Sequence, residues 1–208
     1  MTGKPAIGGI VLAGGKSCRM GADKGSIQLD GCALVELAAR KLGEWCTEVV
    51  ISANDPTYAR YGYRLVQDIY PSHGPMSGLY SALLELDYQH SVVLAADMPL
   101  FPSAWLGYLI SESNGHEIVL PIGPGGFPEP LSGVYPRIVL PEIAYCLENG
   151  LLAMQALLQR FPVRCVRVPS GENISQEDVF LNVNTPKELE KLASRGYHTR
   201  FENREGGE

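Results

Sequence analysis

Short apolar runs recur along the chain at residues 7–12, 48–53, 92–96, 117–122, 163–168 and 179–183. Each has strand length, and near-continuous apolarity is the pattern of strands buried on both faces. Between the runs, apolar residues fall at helical spacing. Leu34, Leu37, Ala38 and Leu42 share one stripe, and Leu79, Ala82, Leu83 and Leu86 follow the i, i+3, i+4, i+7 pattern. Leu106, Leu109 and Ile110 predict a further helix, and residues 138–147 and 151–160 predict two more around Gly150. The last helix is marked at its start. Thr185 suits the N-cap, Pro186 the first helical position, and Glu188 completes a capping box. After Ser194 the chain turns polar and charged, which predicts a frayed tail over 195–208.

Strands alternating with helices of this length predict βαβ units, and hence a mostly parallel, doubly wound sheet covered on both faces. The expected fold is therefore a single Rossmann-like α/β domain over residues 1–194, with no internal repeat and no linker. A length of 208 residues suits one domain with a substantial core. A net charge of −6 argues against a general nucleic-acid surface, although one basic pocket remains compatible with it. No apolar run approaches a membrane span, and the first residues lack an apolar signal core. The five cysteines are odd in number and form no C-x-x-C pair, so neither a disulfide framework nor a zinc site is expected. The expected compartment is the cytoplasm.

The most informative segment follows the first run. After Leu12 and Ala13 come two adjacent glycines, Gly14 and Gly15, and then Lys16, Arg19 and Lys24 within ten residues. Glycines let backbone N–H groups approach an anion closely, and cations on the same loop neutralise it. A polyphosphate is the guest this chemistry suits. The register excludes a P-loop, whose first glycine would fall on Ile10, and the G-x-G-x-x-G dinucleotide fingerprint is missing. In a parallel sheet, ligands gather at the carboxyl ends of the strands. Asn54, Asp68 and Asp97 each follow an apolar run closely, so all three are candidates for that edge.

Asp97 ends the run Val92–Ala96. A carboxylate leaving a buried strand is costly to desolvate without a cation partner. Magnesium held by one or two carboxylates plus substrate phosphates is the expected arrangement, and a turn aspartate is the competing reading. Gly74-Pro75-Met76-Ser77-Gly78 feeds the clearest helix, where it either offers N–H groups to a ligand or simply punctuates the junction. His73, His90, His116 and His198 are scattered and no Ser-His-Asp set is apparent, so a covalent mechanism has little support.

Leu12-Ala13-Gly14-Gly15, with Ser17, Arg19, Met20, Gly21, Asp23 and Lys24, resembles the signature of nucleotidyltransferases related to the molybdenum cofactor guanylyltransferase. Gly74–Gly78, Ala96-Asp97-Met98-Pro99 and Asn182-Val183-Asn184-Thr185-Pro186 agree with that family in order and spacing. The resemblance covers roughly residues 7 to 192, and the closing block favours the molybdopterin branch. It implies a nucleotide-diphospho-sugar transferase type of fold. Leu12, Ala13, Gly14 and Gly15 would flank base and phosphates, Lys24 would contact phosphate, and Asn54 and Asp68 would hold the nucleoside. Asn182 and Asn184 would face the acceptor. Glu129-Pro130-Leu131 matches the family's proline-containing segment imperfectly, because a polar residue or histidine is common before the proline.

The function so implied is transfer of GMP from GTP to the phosphate of molybdopterin, with release of pyrophosphate. Arg19, Lys24 and Asp97 would be the catalytic residues, with magnesium on Asp97. GTP and molybdopterin are the expected partners, with room for transient contact with proteins that deliver or receive the cofactor. Nucleic acid and membrane are not expected partners. Two other classes stay open: a transferase using CTP or another phosphorylated acceptor, and a nucleotide-binding module without turnover. Release of labelled pyrophosphate separates the last from the others.

Overall fold

The computed structural model describes residues 6–14, 27–167 and 175–201. The first described elements are β1 (Gly8–Leu12), β2 (Ile27–Leu29), β3 (Cys32–Ala33) and α1 (Leu34–Gly43). Then follow β4 (Glu48–Ser52), a 3₁₀ turn (Pro56–Tyr61), β5 (Arg64–Val66), α2 (Pro75–Glu85), β6 (His90–Ala95) and α3 (Ser103–Glu112). The second half carries β7 (Ile118–Pro121), β8 (Ser132–Pro136), α4 (Leu140–Glu148), α5 (Met154–Leu158) and β9 (Val163–Val166). It ends with α6 (Gln176–Val179), α7 (Pro186–Ser194) and β10 (Thr199–Phe201).

Seven strands form one sheet in the order β5-β4-β1-β6-β8-β7-β9. The pairs β4–β5, β1–β4, β1–β6 and β7–β9 are parallel, and β8 runs antiparallel to both β6 and β7. The doubly wound, mostly parallel sheet expected from the periodicity is thus present. Alternation along β1 shows how its core is divided. Val11 packs in the cluster that contains Val35, Ala38 and Leu42 of α1, whereas Ile10 and Leu12 pack with Leu79 and Leu83 of α2. Both faces are buried, which is why the strand reads as a continuous apolar run.

Three departures from the hydropathy pattern have physical causes. The run 179–183 is not a strand: Val179 closes α6, and the residues after it run irregularly. Its apolarity serves packing instead, since the Phe180 ring lies 5.8 Å from Phe101 and 5.9 Å from Trp105, centroid to centroid. The strand β8 has no apolar run, because Ser132, Gly133 and Pro136 interrupt its apolar character although all five of its residues are buried. After Ser194, β10 pairs antiparallel with β2, and the amide of His198 donates to Asp30 Oδ1 at 2.7 Å. Backbone pairing orders residues 199–201 there, so hydropathy carries no sign of it.

The consequence for function is one crowded edge. The carboxyl ends of β1, β4, β5, β6, β7 and β9 and the start of β8 all lie on it. Strand order reverses at β1, with β4 on one side and β6 on the other, and such a switch point opens a crevice for a ligand. No helix among the described residues is long and apolar enough to cross a membrane.

Candidate active site

At the switch point, register puts Leu12 beside both Ser52 and Ala95. The chain then leaves the sheet while still tied to it. Ala13 N–H donates to Ser52 O at 3.0 Å, and Ala96 N–H donates to Leu12 O at 3.0 Å. Leu12 is buried, Ala13 half-buried and Gly14 exposed, so the backbone rises from the core to the surface over three residues. Gly15, Lys16, Arg19 and Lys24 lie outside the described residues, and the roles expected of them belong with the proposal below.

Asn54 and Asp68 follow β4 and β5 and meet each other. Asn54 Nδ2 donates to Asp68 Oδ2 at 2.9 Å, and Asp68 N–H donates to Asn54 Oδ1 at 2.9 Å. This reciprocal pair fixes the direction of the carboxylate. Burial pushes the Asp68 carboxyl above its ordinary pKa, with the Asn54 amide opposing that rise. The following loop is held by α2: Ile69 N–H donates to Ser81 Oγ at 2.9 Å and Tyr70 N–H to Ser77 Oγ at 3.2 Å.

The Gly74–Gly78 block opens α2, with Gly74 at the N-cap and Pro75 in the first turn. Gly78 brings the helix hard against the crevice. A Cβ there would lie 2.5 Å from Ser52 Oγ and 3.4 Å from both Asp68 Oδ1 and Leu12 Cδ2. The ends of β1, β4 and β5 therefore converge on one helical turn, and only a residue without a side chain permits that approach.

Asp97 stands just beyond β6, half-buried, with its Oδ1 shielded from solvent. A tight turn follows, in which Met98 N–H donates to Ala95 O at 3.3 Å and Phe101 N–H to Met98 O at 3.2 Å. Lys41 of α1 donates from Nζ to Pro99 O, and burial pushes its ammonium down to about 8 against the opposing pull of Glu44. Asn182 and Asn184 reach the same place. The residue between them, Val183, donates its N–H to Asp97 O at 2.8 Å. Both asparagines are half-buried.

The capping box at α7 differs from expectation in one detail. Thr185 Oγ1 donates to the Glu188 carboxylate instead of accepting a backbone N–H, and Glu188 Oε2 accepts from Asn184 N–H at 3.2 Å. The Thr185 hydroxyl holds the Glu188 carboxyl below its ordinary range. A charged oxygen is the stronger acceptor, so the hydroxyl turns toward it. The helix is thereby fastened to the segment that carries Asn184.

Residues 9–165 match the family described as the MobA-like NTP transferase domain. The chain belongs to this family. It is 32% identical over 189 residues to a probable molybdenum cofactor guanylyltransferase of Pelotomaculum thermopropionicum, spanning 88% of this chain and 90% of that protein. It is 30% identical over 190 residues to the molybdenum cofactor guanylyltransferase of Desulfosudis oleivorans, spanning 89% and 94% respectively. The crystal structure of molybdopterin-guanine dinucleotide biosynthesis protein A from Archaeoglobus fulgidus superposes with a TM-score of 0.76 at 26% identity. That superposition covers 91% of this chain and 98% of the other. The protein is a nucleotidyltransferase involved in molybdenum cofactor biosynthesis.

Within this MobA-like nucleotidyltransferase, the serines that shape the crevice carried no sequence signal of their own. Ser52, Ser77 and Ser81 are buried, and their value lies in what touches them. Ser77 sits inside the Gly74–Gly78 block, yet its hydroxyl accepts from Tyr70 N–H in a loop seven residues upstream. Only a polar residue closing the otherwise apolar run Val49-Val50-Ile51 hinted at Ser52.

Proposed function

We propose that this nucleotidyltransferase moves GMP from GTP to the phosphate of molybdopterin. A phosphate oxygen of the acceptor attacks the α-phosphorus of GTP, the bond to the β-phosphate breaks, and pyrophosphate leaves. The acceptor is already an anionic nucleophile, so the protein needs no strong base. Its task is positioning and charge stabilisation.

One observation carries the reading. The turn at Gly78 packs on Leu12, Ser52 and Asp68, Ala96 N–H donates to Leu12 O, and Val183 N–H donates to Asp97 O, so the Gly78 turn and the asparagine segment are linked through Ala96 and Asp97 at the edge where strand order reverses. Asn54 and Asp68 would orient the nucleoside, and backbone groups of 12–14 and 74–78 would accept the donors of guanine and supply an N–H to its O6. Arg19 and Lys24, which follow the paired glycines in sequence, would neutralise the phosphates: Arg through a bidentate fork, Lys as a movable charge. Asn182 and Asn184 would hold the acceptor.

Among the described residues no group of three or more His, Cys, Asp or Glu side chains could hold a metal by itself. A half-buried carboxylate such as Asp97 suits a magnesium ion that brings phosphate and water ligands with it. When bound, magnesium would offset charge on the phosphate oxygens. The names of the relatives support guanylyl transfer to the molybdenum cofactor, and the expected compartment is the cytoplasm.

The test is thermal stabilisation by each nucleoside triphosphate with magnesium, followed by pyrophosphate release with molybdopterin. Adenine or cytosine would leave site donors and acceptors unpaired at roughly 1–3 kcal/mol each. GTP is expected to bind at least about tenfold more tightly than ATP or CTP. Equal binding of CTP would replace this reading with cytidylyl transfer, and binding without pyrophosphate release would leave a nucleotide-binding module.

A further inference from the structure

Two segments of the candidate site rest on one small packing unit. Leu100, three residues after Asp97, and Val183, between Asn182 and Asn184, belong to a third apolar cluster, separate from the two that flank the large sheet. Ile27 and Leu29 of β2 and Leu189 and Leu192 of α7 fill the same cluster. Ile27 and Leu29 alternate with Gln28, so one face of β2 enters it. The strand β2 is central in a sheet of order β10-β2-β3. Its hairpin with β3 turns through Asp30 and Gly31, with φ of 50° and 79°, the pair of positive values that a two-residue turn demands. Strands of three and two residues are marginal as a pair, and a third strand is what makes such a sheet hold. That strand is β10. Gly196, at φ 89°, ends α7 in a Schellman turn: Gly196 N–H donates to Ala193 O at 3.0 Å and Tyr197 N–H to Leu192 O at 3.2 Å. The chain then reverses so that Thr199 and Phe201 pair with Leu29 and Ile27.

Asp30 fastens this third strand from both sides of its peptide unit. Asp30 N–H donates to His198 O at 2.6 Å, and His198 N–H donates to Asp30 Oδ1 at 2.7 Å. The second bond uses a carboxylate, and hydrogen bonds to ionised acceptors are the strong ones. Close-packed interiors transmit displacement, so a shift of β2 reaches Leu100 and Val183. Those two residues flank the bond from Val183 N–H to Asp97 O. We propose that Asp30, through its two bonds with His198, is a positioning residue for the site. It completes the small sheet whose central strand supports the Asp97 turn and the asparagine segment. The polar C-terminal stretch thus serves the site without touching a substrate. This inference rests on the roles proposed above for Asp97, Asn182 and Asn184.

The experiment compares the full wild-type chain with Asp30→Gly, Asp30→Asn and His198→Ala. Asp30 is exposed, so none of its substitutions opens a cavity. Glycine removes the carboxylate but adopts φ 50° without strain, whereas asparagine tolerates that backbone and keeps an acceptor oxygen. His198→Ala leaves the backbone donor in place. Two quantities are measured: amide hydrogen exchange without ligand, and kcat for pyrophosphate release from GTP with molybdopterin. In Asp30→Gly the Val183 amide should exchange about tenfold faster, the loss of one hydrogen bond to a charged group. The amide of Val93, inside β6, should keep its wild-type rate, because the large sheet is untouched. The kcat should fall about tenfold, within the cost of displacing a positioned group by less than about 1 Å. Asp30→Asn and His198→Ala should stay within about twofold of wild type in both measurements. Unchanged Val183 exchange in Asp30→Gly, or exchange at Val183 and Val93 rising together, would overturn the assignment. So would an unchanged kcat, or an Asp30→Asn protein as impaired as Asp30→Gly. If the wild type itself releases no pyrophosphate with molybdopterin, the proposed reaction fails and this inference with it. If the wild type turns over and Asp30→Gly does so equally well, only the inference falls.

Discussion

The amide of Val183 donates to the carbonyl oxygen of Asp97 across 2.8 Å. This bond joins segments that are 86 residues apart in the chain without using either side chain. The backbone thus sets the distance between the Asp97 turn and the segment that carries Asn182 and Asn184. The arrangement separates the scaffold from the chemistry: a substitution at Asp97 changes charge at the site but leaves the tie intact.

That separation gives the first prediction. Asp97→Asn should keep the fold, with a thermal midpoint close to that of the wild type, because the carbonyl still accepts from Val183. Pyrophosphate release should fall by about 10²–10³-fold, the usual cost of losing one preorganised electrostatic group. Near-normal turnover at saturating magnesium would show that Asp97 does not hold the metal.

Gly78 sets a second test. In Gly78→Ala the new Cβ meets Ser52 Oγ at 2.5 Å, so the hydroxyl or the helix must move. Overpacking of this kind costs about 1–3 kcal/mol, offset by up to about 1 kcal/mol of better helix propensity. Adding Ser52→Ala removes the obstructing atom and should recover most of the loss. Urea unfolding of the two single variants and the double variant measures the coupling. Strict additivity would mean that the two residues do not press on one another.

The parts of this site legible in the sequence are those where one residue type is demanded locally. Strands buried on both faces announce themselves as apolar runs, and so β1, β4, β6, β7 and β9 are legible in the sequence, with Asn54 after β4 and Asp97 after β6. Asp68 and Asn54 could be placed on one edge by such reasoning, but not in mutual contact. Their reciprocal hydrogen bonds depend on the spacing of β4 and β5, and β5 is a strand of only three residues. The antiparallel β8 is silent in the hydropathy pattern for the same reason that the run 179–183 imitates a strand. Tyr135 and Ser132 are buried by their neighbours, and Val179 and Phe180 are apolar because they plug the core beside Trp105. Burial is a property of the finished packing, and hydropathy reports it only where side-chain type and position agree.

A third prediction concerns the cations of the glycine loop. If Arg19 and Lys24 act on phosphates, Arg19→Ala and Lys24→Ala should weaken GTP and pyrophosphate by about ten- to a hundredfold each, as expected for hydrogen bonds to charged groups. Guanosine binding should change little. Calorimetric titration with guanosine, GTP and pyrophosphate distinguishes the cases, and equal losses for guanosine and GTP would point to a structural role.

The last prediction follows from Lys41, whose Nζ donates to Pro99 O two residues after Asp97. Burial lowers its ammonium from 10.5 to about 8, and Glu44 only partly opposes this. In the unfolded chain the lysine holds its proton to the ordinary value, so between about pH 8 and 10.5 the unfolded state binds more protons than the folded one. Stability contributed by this group therefore rises with pH through that window. Below about pH 8 both states are protonated, and the penalty is constant at on the order of 3 kcal/mol. Lys41→Met removes the titrating group and should abolish this component, so the stability of wild type relative to the variant should climb from pH 8 to 10. Urea unfolding at pH 7, 8, 9 and 10 tests it, and parallel profiles for the two proteins would refute it. The variant also loses the donor to Pro99 O, which loosens the turn that carries Asp97. A fall in kcat at pH 7 with GTP affinity retained would separate this positioning effect from a direct role in binding nucleotide.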